Sequence, residues 1–196
     1  MGRPKSDSND VATEERVLQA AEVEFGKAGY DAARLDDIAA RAGITRPSLF
    51  YHFASKDQLY AAVVHRAFGG LRDALVAAFM APVPFEERFE GTVVAYLDFL
   101  QAHPQLAAIL LREVIGGRGP GRDLVLSDVV PLIDLVERFV VEEGAGRMRE
   151  GLHVRAAIMM VIASPLVQVA AGSLREPLWG HVDRTRDLAR QLFFGR

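Results

Sequence analysis

The chain has 196 residues, 50% of them hydrophobic and 25% charged, with 23 Lys and Arg against 26 Asp and Glu for a formal net charge of −3. That apolar fraction is ample for a core and excludes wholesale disorder. There is no Cys, which excludes disulfides, thiolate catalysis, Fe–S clusters and Cys-ligated zinc, while the near-neutral balance excludes a whole-surface coat for nucleic acid but not a small basic reading head.

Residues 1–12 are polar, carry no secretory signal and read as a flexible arm, with a cytoplasmic location expected. The pattern then predicts helices almost throughout. A first helix over 13–28 has Thr13 as its cap, and Val17, Leu18, Ala21 and Phe25 as its apolar stripe; Gly29 and Tyr30 end it. Short helices follow over 36–42 and 46–53. Gly43 makes the turn between them, with a positive φ suited to Gly. Thr45 caps the second of the two, and Pro47 is tolerated in its first turn. Ser55 caps a longer helix over 56–81. Further helices fit 85–102, 104–115, 124–143, 153–173 and 178–193, with Pro131 bending or restarting the third of these. The fold class is all-α. Residues 13–56 form a three-helix head with a helix-turn-helix, and 57–196 form a larger helical body.

Residues 35–59 carry the functional signal. Ile38, Ala39, Ile44, Leu49 and Phe53 can hold two short helices at a steep angle, presenting the start of 46–53 outward to a major groove. Residues 38–56 contain Arg41, Arg46 and Lys56 and no carboxylate at all, so positive charge is local to the proposed reading surface. Arg46 is the first candidate for a base contact through its guanidinium fork, a phosphate contact being the alternative. Pro47, Ser48 and Tyr51 are further base-contact candidates. His52 and Lys56 suit phosphates. Lys56 sits at a helix start, where the dipole disfavours a cation unless an anion is present.

The run AAEVEFGKAGYDAARLDDIAARAGIT, then RPSLFYHF, then SK at 55–56, resembles the DNA-binding domain of the TetR (tetracycline-repressor) family of bacterial regulators, over about residues 12–60. The resemblance implies a homodimer on double-stranded palindromic DNA. It also implies an all-helical body enclosing a pocket for a small-molecule effector, which moves the two heads apart. The family's recognition positions fall on Thr45, Arg46, Pro47 and Ser48, its aromatic pair on Phe50 and Tyr51, and its phosphate contacts on His52 and Lys56, with Thr45 added from the helix start. Four positions depart from the pattern. Phe50 lacks the usual hydroxyl, Ala33 and Arg34 replace capping Thr residues, and Asp36 is acidic. Arg34 is a substitute phosphate contact. The GRPK start resembles a basic arm for an adjacent minor groove through Arg3 and Lys5.

In the body, residues 156–174 are uncharged, and a helix buried in a core or at a subunit contact fits them better than a membrane span. Ile162, Leu166 and Val169 from this stretch, with Leu178, Val182, Leu188 and Leu192, are expected at the dimer interface. Tyr96, Phe99, His103, Leu110, Arg112, Phe139, Met159 and Met160 are candidates for a pocket, although adjacent Met159 and Met160 cannot face the same way. No cofactor, metal site or catalytic group is expected. The Gly-rich stretch at 116–121 lacks a preceding strand, and the five His residues have no ligand spacing. A specific regulator, most simply a repressor released by a small, partly apolar effector, is therefore weighed against a small-molecule-binding helical protein with weakened DNA binding.

Overall fold

The computed structural model describes residues 5–116 and 120–195, with the backbone alone described for 5–9 and 120. Helix α1 (Lys5–Ala32) buries Val17, Leu18, Ala21 and Phe25. It begins well before Thr13, a correction to the expected arm. Nothing between Pro4 and Thr13 breaks a helix, so the first turns extend outward with Asp10, Val11 and Ala12 exposed. Thr13 therefore does not cap. It is buried inside the helix, and its hydroxyl accepts from Arg16 at 3.2 Å. Gly29 (φ 79°, ψ 171°) breaks the helical geometry near its end.

Helix α2 (Leu35–Ala42) buries Ile38, Ala39 and Ala42. Gly43 follows at φ 70°. Its N–H bonds Ala40 O at 3.1 Å, and the Ile44 N–H bonds Ala39 O at 3.0 Å. This pairing satisfies the last carbonyls of α2 and requires the left-handed backbone that Gly supplies. Helix α3 (Arg46–His52) starts at once, with the Thr45 hydroxyl accepting from the Ser48 N–H at 3.3 Å. Helix α4 (Lys56–Phe79) is capped by Ser55, whose hydroxyl accepts from the Gln58 N–H at 3.1 Å. Its buried stripe runs from Leu59 and Tyr60 in the head to Leu75 and Phe79 in the body, so one core spans both.

Helices α5 (Phe85–Ala102) and α6 (Pro104–Gly116) match their expected limits. Next come α7 (Pro120–Leu124), a π turn (Val125–Val129) and α8 (Val130–Glu143). Pro131 explains the π turn. It has no N–H for the carbonyl four residues back, and the ladder widens so that the Val130 N–H reaches Val125 O. Helix α9 (Val154–Ala170) runs through Pro165. After a 3₁₀ turn (Gly172–Leu174), α10 (Arg175–Trp179) and α11 (Thr185–Phe194) complete the chain. The single helix expected over 178–193 is thus corrected to two. Gly180 takes φ 80°, and the Asp183 carboxylate accepts from the Thr185 N–H at 2.8 Å to start α11 anew. α1 packs on α2, α4 and α6, while α9 packs on α5, α6, α8 and α11. Phe79 stacks on Phe139 at 4.3 Å and Phe89 meets Phe193 at 4.7 Å, filling the end of the body away from the head. Among the described residues no single helix is long and apolar enough to cross a membrane; α9 and the segment Gly172–Trp179 are bent by 112°.

Candidate nucleic-acid interface and internal cavity

Only Leu49 of α3 is fully buried. That one anchor, with the Thr45 cap, leaves most of the helix facing outward. Thr45, Arg46, Pro47 and Tyr51 are exposed, Tyr51 at 79%, while Ser48 and His52 are half-buried. The structure therefore brings the proposed base and phosphate contacts onto one end of the head. Thr45 Oγ1 accepts the cap bond, so its hydroxyl proton remains a donor for a phosphate. The Tyr51 and His52 rings meet edge-on at 5.3 Å.

The cations of this surface have partners of their own. Arg46 Nη1 donates to the Asp36 carboxylate at 3.1 Å, and its guanidinium lies 5.6 Å from the Phe50 ring centre. Arg34 Nη2 lies 3.9 Å from the same carboxylate. Asp36 thus sits between two arginines, and Phe50 serves Arg46 as a platform. The i, i+4 spacing of Arg46 and Phe50 on a helix signals this contact in the sequence. Such exposed pairs are worth about 0–1 kcal/mol, weak enough for a phosphate or base edge to displace. Lys56 Nζ donates to Asp31 O at 3.1 Å and lies 4.8 Å from the Tyr30 ring centre. Pointing back toward the end of α1 relieves its unfavourable place at the start of α4. Arg3 lies outside the described residues, as does the side chain of Lys5.

Behind the reading face, α6 joins head to body. Gly26 of α1 permits the approach: a Cβ there would stand 2.4 Å from Gln105 Cβ and 3.0 Å from its Cα. Further along α6, the Arg112 guanidinium donates to Phe25 O, Gly26 O and Lys27 O at 3.2, 2.7 and 3.2 Å. A cation here meets the carbonyl-rich C-terminal end of the regular part of α1. The Tyr60 hydroxyl donates to Glu113 Oε1 at 2.7 Å. Burial first, then this bond to a carboxylate, pushes the Tyr60 phenol far up. Tyr30 packs edge-on against Tyr60 at 5.1 Å and bonds Asp57; burial chiefly, with that bond second, raises it to about 12. Glu22, buried on α1, holds His103 Nδ1 at 3.1 Å and Arg66 at 3.3 Å.

A cavity of about 230 Å³ lies between α4, α5, α6, α8, α9 and α11, open in part toward the exposed side of α9. Tyr96, Phe99, Leu110 and Met159 line it. The other four pocket candidates are corrected. His103 is drawn to Glu22 and Arg112 to the carbonyls of α1. Phe139 is stacked between Phe79 and Phe85, and Met160 points outward, 65% exposed. The expected interface residues also divide. Leu178, Val182 and Leu188 are exposed, and Val169 and Leu192 are partly buried. Ile162 and Leu166 face the cavity instead. The exposed face of α9 carries Ala156, Met159, Met160 and Ala163. Apart from Arg155, Ser164 and Gln168, α9 is apolar all round, so its sequence offers no continuous polar side to assign those faces. Among the described residues no cluster of three or more His, Asp or Glu is placed to hold a metal ion.

Residues 17–63 match the family model described as bacterial regulatory proteins, tetR family. The chain is 37% identical over 90 residues to the transcriptional activator FasR of Mycolicibacterium smegmatis, covering 46% of this chain and 41% of that protein. It is 32% identical over 102 residues to the transcriptional repressor SCO4008 of Streptomyces coelicolor, covering 52% and 50%. The chain therefore spans about half the length of these relatives. Its fold is similar to that of FadR from Bacillus subtilis, solved in complex with stearoyl-CoA, with a TM-score of 0.75 at 16% identity over 93% of this chain and 98% of that one.

Proposed function

This chain belongs to the TetR family of bacterial regulatory proteins, and on that premise we propose that it is a sequence-specific transcriptional regulator released from a palindromic operator by a small, partly apolar effector. The observation that carries the reading is α3. One buried leucine and one cap hold it by its inner side, while Arg46, Pro47 and Tyr51 face outward and Ser48 is half-buried. A helix so presented suits a major groove, with the Arg46 fork for a base edge and Thr45, His52, Lys56 and Arg34 for phosphates. Arg3, which precedes α1, extends the reading into the adjacent minor groove.

Control by an effector is supported by α6. Leu110, Leu111 and Val114 line the cavity, while Arg112 and Glu113 between them hold α1 and Tyr60 of α4. A molecule that fills the cavity therefore presses on the helix that sets the head's position. The fold neighbour bound to stearoyl-CoA supports the body as a site for apolar groups. Two copies joined through α9 and the segment around Leu178, Val182 and Leu188 would place two heads on a two-fold symmetric site. The relatives include both an activator and a repressor. Repression is the reading adopted here, because an effector that releases the protein from DNA relieves it directly.

The test is binding to the DNA upstream of the chain's own gene against a random duplex, at two salt concentrations. The specific site should bind about 1,000-fold tighter or more, and light scattering should report a dimer. Equal affinity for both duplexes would overturn specific regulation, and a monomer would overturn the two-headed reading.

A further inference from the structure

Three of the four departures from the family pattern meet in one place. Asp36 of α2 stands between Arg34 and Arg46, and the Phe50 ring centre lies 5.6 Å from the Arg46 guanidinium. Both carboxylate oxygens of Asp36 accept from a single nitrogen, Arg46 Nη1, at 3.1 and 3.2 Å. A guanidinium holds five N–H donors in a rigid plane. The contact with Asp36 therefore leaves the Nε–Nη2 edge for another partner, and among the described residues no hydrogen bond engages it. The pair fixes the arginine and spares its second fork.

Charge decides what that fork can take. A phosphate is drawn to a net cation, but Asp36 neutralises Arg46 and would repel an anion brought beside it. A base edge carries no net charge and meets no such repulsion. In the major groove guanine alone presents two acceptors side by side, N7 and O6, which match the two parallel N–H bonds of the fork. A guanine placed there leaves the bond to Asp36 intact, and the loss of water on docking strengthens that bond. Arg34 is held less closely. Its Nη2 stays 3.9 Å from Asp36, beyond hydrogen-bond distance, with its side chain 73% exposed. It is the cation of the trio left for a phosphate.

We propose that Arg46 reads a guanine in each half-site through its Nε–Nη2 fork, and that Asp36 is a specificity-determining residue, holding the fork in place and keeping Arg46 off the phosphates. This rests on the reading of α3 as the recognition helix and names the base that it selects.

The test starts from duplexes selected out of a randomised library by the full chain. Each half-site should carry a guanine whose requirement vanishes in Arg46→Ala. Replacing that guanine by adenine should weaken wild-type binding about tenfold or more for each half-site, read by anisotropy, while Arg46→Ala should bind both duplexes equally. A second measurement needs no variant: 7-deazaguanine, which lacks the N7 acceptor, should weaken wild-type binding about fivefold at the same position. Salt separates base from phosphate. The slope of log affinity against log salt should be unchanged in Arg46→Ala and shallower by about 0.9 for each copy of Arg34→Ala. Asp36→Asn should lower the preference for guanine about threefold and steepen the salt slope, as the freed Arg46 turns to a phosphate. If no duplex is enriched over random, the recognition reading falls and the proposal with it. If sites are enriched but 7-deazaguanine binds like guanine, or Arg46→Ala flattens the salt slope, the guanine contact falls and recognition by α3 stands. An unchanged preference in Asp36→Asn would overturn the role of Asp36.

Discussion

The head and the body hold their polar groups in opposite ways. On α3 a single buried leucine anchors a helix whose remaining side chains reach outward, and its arginine is held only by the exposed carboxylate of Asp36 and the Phe50 ring. Around the cavity the polar atoms turn away, each hydroxyl proton fixed on a backbone carbonyl. Exposed pairs are exchanged cheaply for a charged, hydrated partner, which suits a DNA surface. Buried, satisfied hydroxyls resist exchange and leave an apolar interior, which suits a small uncharged molecule. Between them, α6 touches both, with cavity-lining leucines beside an arginine and a glutamate that grip the head.

Perturbing each side should separate the two. Leu49 is fully buried, and Leu49→Ala should lower stability by about 2–5 kcal/mol and abolish specific DNA binding while an apolar probe such as nonan-1-ol still binds the body, as thermal melts and calorimetry would show. Gly26→Ala should lower stability by about 1–3 kcal/mol, although Ala ordinarily favours a helix. The added Cβ would meet the Gln105 backbone and push α6 from α1; a higher melting temperature would contradict the close approach. Asp36→Asn frees Arg46 and Arg34 and should tighten DNA binding up to about fivefold, read by anisotropy, with no change in the binding of an apolar probe to the body.

The smallest effect is alkaline. The fold holds the Tyr30 phenol at about 12 against an ordinary 10.0, so the neutral form is favoured in the native state. Its contribution is intact below pH 10 and is lost as pH rises through about 12. Tyr60 and Tyr96 act in the same direction. Melting temperature should therefore fall across that window, and less steeply in Tyr30→Phe.

The head is legible in the sequence because its information is local. Gly43 and the two caps lie next to the helices they delimit, and an acid-free stretch spans α3. In the body the deciding partners lie far along the chain. Arg112 follows an apolar run and His103 stands before Pro104, so nothing nearby shows that the carbonyls of α1 and Glu22 draw them away from the cavity. The uniform apolarity of α9 hid the inward turn of Ile162 and Leu166. The break between α10 and α11 did leave a trace, with Gly180 followed by Asp183 two residues before Thr185. That is a stop and a start signal inside one amphipathic run.

On the proposed function, cavity occupancy and DNA binding form one linked equilibrium. Linkage is reciprocal, so it is measured both ways, with an apolar probe such as nonan-1-ol: affinity for upstream DNA with and without saturating probe, and affinity for the probe with and without that DNA. Each should weaken the other by the same factor, about tenfold or more. A probe that binds the cavity and leaves DNA affinity unchanged would overturn control by the body.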